Sequence, residues 1–447
     1  MKQLLILGGG FGGLTLGRSL AGAAAHGELE VHIVNRDNYS LFTPMLPEVS
    51  AAGIGARHIV VPIRAAVPHA AFHLGDVQAI DLDARRVDVI HPLNGTQQAL
   101  GYDHLVIALG GVTSTFGVPG VAQYTIPLKT LEDAETMRNR LVAMLELADN
   151  THDPLERRRL LTFVVIGGGF TGVEAAGETA DLLRNVSRFY PTIGGADVRI
   201  VVVEGGARLL PELPEAMGVY SAKHLRRRGV EVVLSDPVAS VEEQRVTLRS
   251  GNTIETATIV WSAGVRPAPI VEKLPLEHGK RGAILTKADF SVPGREGVWA
   301  LGDCASTPDS NGGFFPPTAQ HAIREGAALA KNIRASLKGR PTQPFRYNSL
   351  GMMASLGGRR GAAQLPGNVV LTGFLAWFLW RSYYLSRLPG FDRKLRVAFD
   401  WSMGLFFARD IAELRVYSER SQRESLTDAG MMPPQQNPRA PGSEYHI

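Results

Sequence analysis

Two glycine clusters are the residues whose types and spacing point most directly to chemistry. Both have the pattern G-x-G-x-x-G, with glycines at Gly8, Gly10 and Gly13 in the first cluster and at Gly167, Gly169 and Gly172 in the second. In this pattern the first glycine permits a tight turn, the second lets the backbone approach a pyrophosphate, and the third lets a helix pack closely on a strand. The pyrophosphate then lies at a helix N-terminus, where free N–H groups and the helix dipole favour anions. The two clusters therefore predict two dinucleotide sites.

Three polar residues that follow apolar strands could bind the sugar parts of such ligands. Glu204 could accept hydrogen bonds from a ribose 2′-hydroxyl and repel a 2′-phosphate, which favours NADH over NADPH, although Arg208 is close enough in sequence to weaken that preference. Asn35, at the corresponding point of the first half, could bond a ribose without a charge. Asp303 follows a glycine and could accept hydrogen bonds from ribityl hydroxyls; the alternative is an ordinary turn aspartate.

The elements around these residues are typical of a doubly wound α/β fold. Each cluster follows a short apolar strand and precedes a helix-forming stretch, at 14–25 and 173–185, and a second strand follows each helix, at 31–34 and 199–203. Three later apolar segments resemble the strands that close such domains, and these are 103–111, 258–267 and 297–305. This order of elements predicts two Rossmann-like dinucleotide-binding domains.

The composition excludes several classes of protein. The chain has 447 residues, of which 45% are hydrophobic and 20% charged, so it is neither mostly disordered nor fibrous. The formal net charge of +4 comes from an excess of basic residues between 356 and 420, which argues against nucleic acid as a partner of the remaining chain. Cys304 is the single cysteine, so an intramolecular disulfide, a cysteine-rich metal site and a C-x-x-C pair are excluded. We expect no metal site and a buried, unreactive Cys304.

Several segments, taken in order, resemble one family. Two glycine clusters with a late Gly-Asp turn resemble the two-dinucleotide-binding-domain flavoproteins, in which the first cluster holds FAD and the second holds NAD(P)H. Five further segments are similar to type II, non-proton-pumping NADH dehydrogenases, and these are 38–49, 171–174, 317–326, 373–380 and 396–401. The resemblance runs from residue 2 to about 415. It implies an FAD domain interrupted by an NADH domain, followed by a C-terminal membrane-associating helical segment.

The resemblance also implies roles for individual residues. The expected FAD-binding residues are Gly8, Gly10, Gly12, Gly13, Asn35, Arg36, Thr43, Pro44, Lys129, Asp303, Ala319 and Gln320, and the expected NADH-binding residues are Gly167, Gly169, Gly172, Glu204 and Gly264. Lys129 could equally be a solvated linker lysine. Glu174 is expected at the nicotinamide–flavin junction, the alternative being a helix-start acid that the dipole favours. Its neighbour Glu178, one turn on, is expected to be structural.

The expected acceptor site departs from the family pattern. That pattern is Ala-Gln-x-Ala-x-Gln, and here Gln320 is present but the second glutamine is Arg324. Residues four apart share a helix face, so Arg324 is expected to face the same site as Gln320. Its guanidinium could donate to a quinone carbonyl, reshape the site or favour another acceptor. Glu174, Gln320 and Arg324 are the expected catalytic residues, whereas His321 and Glu325 are expected on a solvated helix face.

The C-terminal part is apolar, aromatic and basic. Segments 372–388 and 393–407 are rich in Trp, Tyr and Phe beside Arg and Lys, which indicates two interfacial helices on a membrane. The alternative is a dimer interface or a core helix. The expected division is 1–118 and 271–340 for the FAD domain, 119–270 for the NADH domain, 341–420 for the C-terminal segment and 421–447 for a disordered tail.

These expectations combine into one function with two alternatives. The main hypothesis is a peripheral enzyme on the cytoplasmic face of the cell membrane, a homodimer that transfers electrons from NADH through FAD to ubiquinone or menaquinone without proton pumping. Asn35 and Arg324 leave open a soluble NAD(P)H-dependent FAD oxidoreductase with a non-quinone acceptor. A slow-turnover, redox-responsive NADH-binding flavoprotein is the other alternative. The lone cysteine excludes disulfide reductases and sulfide:quinone oxidoreductases, because both need more than one.

Overall fold

The computed structural model describes residues 1–310 and 312–413. The predicted tail, 421–447, lies outside the described residues, as do the last residues of the predicted segment 341–420. Apart from its last two residues, the described chain belongs to one compact unit, Met1–Ile411.

Five parallel strands form the first sheet. Their spatial order is Val298–Ala300, His104–Ile107, Lys2–Leu7, Leu29–Asn35 and Ala71–Leu74. The central strand reads Leu-Leu-Ile-Leu after its first two residues, and these four side chains are buried because the sheet is covered on both faces. The chain leaves this sheet after His104–Ile107 and returns to it nearly two hundred residues later at Val298–Ala300, so two distant segments share one domain.

A second parallel sheet repeats the arrangement. Its order is Ile126–Pro127, Thr258–Trp261, Thr162–Ile166, Arg199–Val203 and Val230–Val233. In both sheets the strand before a glycine cluster is central, and a long helix follows the cluster. These helices are Phe11–Ala25 and Phe170–Val186, each of which begins three residues earlier than the sequence predicts. The doubly wound α/β class is confirmed.

The remaining elements connect or extend these two sheets. The other strands are Tyr39–Leu41, Val60–Pro62, Asp76–Asp81, Arg86–Ile90, Gln97–Gly101, Gly111–Thr113, Val238–Glu242, Arg245–Leu248, Thr253–Glu255, Val265–Pro267, Ile284–Leu285 and Ala305–Ser306. The other α-helices before residue 350 are Leu46–Ser50, Ile63–Ala66, Val121–Tyr124, Leu131–Asp149, Pro154–Leu160, Glu215–Arg227, Pro269–Glu272 and Ala319–Leu337. Gly111–Thr113, which follows a strand of the first sheet, pairs in antiparallel fashion with Val265–Pro267, which follows a strand of the second sheet.

The C-terminal segment forms a small sheet and two helices. The antiparallel strands Met352–Ser355, Gly361–Leu365 and Val369–Gly373 precede the helices Phe374–Arg387 and Phe391–Met403. The second helix begins two residues before the predicted segment 393–407 and ends four residues before the end of that segment. Within 1–310 and 312–413, no helix is both long and apolar enough to cross a membrane.

Candidate active site

Both glycine clusters fold in the same way. Their first glycines have φ angles of +108° and +114°, a region that favours glycine. A Cβ atom on Gly13 or on Gly172 would lie 1.9 Å from the carbonyl oxygen of the first glycine of its cluster. By contrast, a Cβ on Gly10 or Gly169 would meet no atom of the described chain within 4 Å. The fold therefore requires the first and third glycines, while the second faces open space.

The open glycines lie at helix N-termini. Gly10 and Gly169 are the N-caps of Phe11–Ala25 and Phe170–Val186. In the described chain neither N-terminus has a side-chain cap, and neither first turn carries an acidic residue. The N–H groups of a first helical turn lack intrahelical partners and attract anions. These residues fit the pyrophosphates of two dinucleotides.

The polar residue after the second strand supports the glycine turn in each half. The Gly9 N–H donates to Asn35 Oδ1 at 2.8 Å, and the Gly168 N–H donates to Glu204 Oε2 at 2.6 Å. The carboxylate of Glu204 keeps free lone pairs for a ribose hydroxyl, and the amide of Asn35 has fewer. Arg36, the neighbour of Asn35, is exposed.

Asp303, in the Gly-Asp turn of the expected FAD site, forms an ion pair with a lysine. Lys129 Nζ lies 3.3 Å from Asp303 Oδ2, and both residues are only partly exposed. Lys129 therefore forms an ion pair with a residue of the expected FAD site. Gly12 lies under this turn, because a Cβ there would be 2.1 Å from the Leu301 side chain. Its role in the structure is to let the chain before Asp303 pack closely.

One large cavity joins many of the predicted site residues. We call it the central cavity; its volume is about 1590 Å³. The predicted residues that line it are Thr43, Pro44, Lys129, Gly167, Gly169, Glu174, Glu204, Gly264, Ala319 and Gln320. Those that the structure places outside its lining are Gly8, Gly10, Gly12, Gly13, Asn35, Arg36, Gly172, Asp303 and Arg324. The second glycine cluster and the expected acceptor residue Gln320 therefore face one space.

Glu174 is a buried acid in the wall of the central cavity. It lies in the second turn of its helix, where the dipole explanation for a helix-start acid does not apply. The Ser355 N–H donates to its Oε1 at 2.9 Å, and Trp380 Nε1 donates to the same oxygen at 2.8 Å. Burial raises the pKa of Glu174 to about 8, because the charged form loses its hydration. The carboxyl group therefore holds a proton at neutral pH.

The prediction that His321 and Glu325 lie on a solvated helix face is wrong. Both are buried, with 7% and 4% of their surfaces exposed. Their helix, Ala319–Leu337, packs on Phe11–Ala25 so closely that a Cβ on Gly326 would lie 2.4 Å from a backbone oxygen of the other helix. Burial raises the pKa of Glu325 to about 7, and its carboxylate accepts from the Gly302 N–H at 2.8 Å. Burial lowers the pKa of His321, which keeps its ring neutral.

Arg324 also lies differently from its expected position. Its guanidinium stacks on the Tyr347 ring, 4.4 Å from the ring centroid, and donates to the carbonyl oxygen of Gln320 at 3.0 Å. Tyr347 lines the central cavity, whereas Arg324 lies behind it. A helix face is broad enough that residues four apart can have different neighbours.

Sequence reasoning missed the contacts that hold the C-terminal helices in place. Buried Glu48 accepts from Arg381 Nη2 at 3.1 Å and from Trp401 Nε1 at 2.9 Å. The Arg381 guanidinium stacks on the Trp401 ring and on the Trp377 ring, at 4.4 Å and 4.5 Å from their centroids. Glu178 pairs with Arg409 at 2.7 Å, in agreement with its expected structural role. These contacts join the helices Leu46–Ser50 and Phe170–Val186 to the C-terminal part of the described chain, and only composition hinted at them.

Comparison with known proteins agrees with this architecture. Residues 2–326 match the family described as pyridine nucleotide-disulphide oxidoreductase, the class that two parallel sheets with glycine turns define. Residues 350–410 match the NDH2 C-terminal domain, which covers the small sheet and the two C-terminal helices. The family resemblance noted in the sequence is confirmed.

Named relatives extend over nearly the whole chain. The type II NADH:quinone oxidoreductase Ndh of Mycobacterium tuberculosis is 30% identical over 91% of this chain and 89% of its own length. The demethylphylloquinone reductase NdbB of Synechocystis is 32% identical over 89% of this chain and 95% of its own. The chain belongs to the type II NADH:quinone oxidoreductase family. NDH2 from Plasmodium falciparum, solved in complex with NADH, shares the fold with a TM-score of 0.85 at 18% identity, over 92% of this chain and 99% of that one.

Proposed function

We propose that the protein is a flavoenzyme that transfers electrons from NADH through FAD to a quinone, without pumping protons. The observation that carries this proposal is the central cavity. Its lining includes Gly169 of the second glycine cluster, Thr43 and Lys129 of the expected flavin segment, and Gln320 of the expected acceptor site. A donor, a redox cofactor and an acceptor could thus meet in one space.

Two sets of residues would hold the two dinucleotides. The first glycine cluster, with Asn35 and Asp303, would hold FAD, and the second, with Glu204 and Gly264, would hold NADH. FAD, when bound, supplies the two-electron redox chemistry, and the protein supplies binding, orientation and electrostatics. Lys129 would place a positive charge beside the flavin segment, and Glu174 would hold a proton in the cavity wall.

The central cavity suits a flat, apolar ring with polar oxygens. Its walls include Phe42, Leu379, Tyr383 and Tyr384, and Gln320 supplies an amide. The Phe42 ring packs edge-on against Tyr384 with centroids 6.0 Å apart, which joins the FAD domain to the first C-terminal helix. Such a mostly apolar wall with few polar groups is typical of small-molecule sites. Ubiquinone and menaquinone both meet this description.

Steady-state kinetics of the FAD-loaded protein test this function. We expect rapid NADH oxidation with a short-chain ubiquinone or a menaquinone analogue, at a turnover of about 10 s⁻¹ or more, as is ordinary for enzymes. Ferricyanide as acceptor reports the NADH half of the reaction separately. Flavin that NADH reduces quickly but neither quinone reoxidises would contradict the quinone claim and favour the soluble reductase. Slow turnover with every acceptor would favour the redox-responsive protein.

The proposal includes contact with a membrane surface. The two C-terminal helices expose large apolar side chains, and these are Phe374, Leu375 and Phe378 on the first and Phe391, Leu395 and Phe399 on the second. Leu405, Phe406 and Phe407 follow, and Phe406 is 78% exposed. Arg393 and Lys394 lie on the second helix beside them. Exposed aromatic residues beside cations favour an anionic lipid surface. The homodimer and the cytoplasmic face that the family resemblance implies are further parts of this proposal.

Removing three of these aromatic residues should weaken membrane binding. We expect the triple variant Phe378→Ser, Phe399→Ser, Phe406→Ser to bind anionic vesicles at least about a hundredfold more weakly, since each aromatic ring that the membrane buries contributes on the order of 1 kcal/mol or more. Vesicle co-sedimentation measures this, and ferricyanide reduction should persist. Leu93→Ser with Leu155→Ser, which removes two exposed leucines elsewhere, is the control. If light scattering shows that the triple variant loses a dimer but keeps vesicle binding, the surface is a subunit interface instead.

A further inference from the structure

The amide of Gln320 is held by the loop 347–351, which also lines the central cavity. The Tyr347 hydroxyl donates to Gln320 Oε1 at 2.9 Å and itself accepts from the Leu350 N–H at 3.2 Å. Ser349 Oγ also contacts Oε1, at 3.4 Å. On the other side, Gln320 Nε2 donates to the Gly351 carbonyl oxygen at 3.4 Å.

These contacts fix which way the amide points. A backbone carbonyl only accepts, so the nitrogen of Gln320 must face Gly351. The oxygen then faces Tyr347, whose hydroxyl already accepts one hydrogen bond and can donate its proton to that oxygen. One N–H of the amide remains for a ligand that carries a hydrogen-bond acceptor.

Arg324 fixes the ring that carries this hydroxyl. Its guanidinium covers one face of Tyr347 and is held by the hydrogen bond to the Gln320 backbone oxygen. His321 packs edge-on against the same ring, with centroids 5.3 Å apart. A guanidinium can stack on a ring and donate a hydrogen bond at once, whereas an aliphatic side chain cannot donate.

We propose that Tyr347 and Arg324 are positioning residues that aim the free N–H of Gln320 at a carbonyl oxygen of the electron acceptor. Tyr347 holds the amide oxygen through its hydroxyl, and Arg324 acts through the Tyr347 ring without touching the acceptor. The arginine in place of the family's second glutamine is then a support for the first glutamine. This inference rests on the proposed function, because it assumes a quinone at the Gln320 end of the cavity.

Two variants of the full-length, FAD-loaded protein test the proposal. Tyr347→Phe keeps the ring and removes the hydroxyl, and Arg324→Met removes the guanidinium while keeping a good helix former. We expect each to raise the KM for a short-chain quinone about five- to tenfold, the loss of roughly one hydrogen bond. The rate of flavin reduction by NADH, followed by stopped-flow absorbance, should change less than about twofold, because that step needs no ordered Gln320.

The double variant separates support from direct contact. If Arg324 acts through Tyr347, Arg324→Met adds little to the KM of Tyr347→Phe, whereas a direct contact with the acceptor would make the two effects multiply. Tyr190→Phe is the matched control, because the Tyr190 hydroxyl also donates to a side chain, Glu146 Oε1 at 2.8 Å, away from the cavity.

Each outcome identifies which claim fails. An unchanged quinone KM in Tyr347→Phe, with wild-type quinone reduction intact, overturns this inference alone. Multiplying effects overturn the indirect role of Arg324. A wild-type protein that reduces no quinone overturns the proposed function instead. If Tyr347→Phe does not retain FAD, the KM of Arg324→Met alone decides, since its side chain lies outside the cavity lining.

Discussion

Gly169→Ala should raise the KM for NADH at least about a hundredfold, a loss of roughly 2.7 kcal/mol, and leave FAD bound. The backbone at Gly169 has φ −74° and ψ −173°, which alanine adopts without strain. Its Cβ would meet no described protein atom within 4 Å, so the fold should tolerate the change. The added methyl group would instead occupy the space before the helix N-terminus, where a pyrophosphate must approach the backbone. Titration of flavin bleaching by NADH measures the effect, with the FAD content determined alongside.

The internal repeat provides a reciprocal experiment. Gly10→Ala makes the same change in the first glycine cluster, where a Cβ would likewise meet nothing in the described chain within 4 Å. We expect it to lower the FAD content of the purified protein. Gly195→Ala, at an exposed glycine with equal space around it, is the neutral control. If Gly169→Ala loses FAD and keeps NADH binding, the two sites have been assigned the wrong way round.

The glycine clusters could be predicted from the sequence because their physics is local. A turn with positive φ, a close backbone approach and a helix start all lie within six residues, so Gly8 and Gly13 carry the information themselves. The buried strands were similarly visible as short apolar runs. The two Rossmann-like domains were predicted from the same local signals, because strands that alternate with helices indicate parallel sheets.

Burial of polar residues could not be predicted, because it depends on segments far apart in the chain. His321 and Glu325 look like a solvated helix face until Ala319–Leu337 packs on a helix three hundred residues earlier. Glu48 and Trp401 are 353 positions apart, and no spacing rule pairs them. Arg324 was placed on the correct helix, but its partner Tyr347 comes from a loop with no regular secondary structure. The sequence therefore identified candidate site residues more accurately than it predicted the contacts of those residues.

Glu174→Gln should make the protein less sensitive to alkaline pH. The native carboxyl group has a pKa of about 8 because it is buried, while in the unfolded chain it titrates near its ordinary value of 4.5. Between these values the native state holds a proton that the unfolded state has lost, so the free energy of unfolding falls as pH rises. Between pH 6 and pH 9 this loss is on the order of 2–3 kcal/mol for wild type. A glutamine accepts the same two hydrogen bonds and has no such dependence.

Thermal unfolding of the FAD-loaded protein at the two pH values measures this difference. We expect Glu174→Gln to gain about 2–3 °C in Tm relative to wild type at pH 9 compared with pH 6, after subtracting any constant offset. Glu178→Gln is the contrasting variant, because it removes the partner of the partly buried Arg409 and should destabilise the protein at pH 9. An offset between wild type and Glu174→Gln that is equal at both pH values would show that Glu174 is already ionised at pH 6.

The same substitution separates a structural proton from a catalytic one. Glutamine keeps the contacts with Ser355 and Trp380 but can neither release nor take up a proton. If Glu174 supplies a proton during quinone reduction, Glu174→Gln should lower kcat with quinone at least about tenfold. It should also remove the decline in rate that deprotonation of Glu174 causes near pH 8. Ferricyanide reduction should stay near wild type, because it needs no proton at the acceptor. If Glu174→Gln changes the pH dependence of stability but not the pH–rate profile, the proton on Glu174 has only a structural role. It then neutralises an acid that is buried between the cavity and the C-terminal helices.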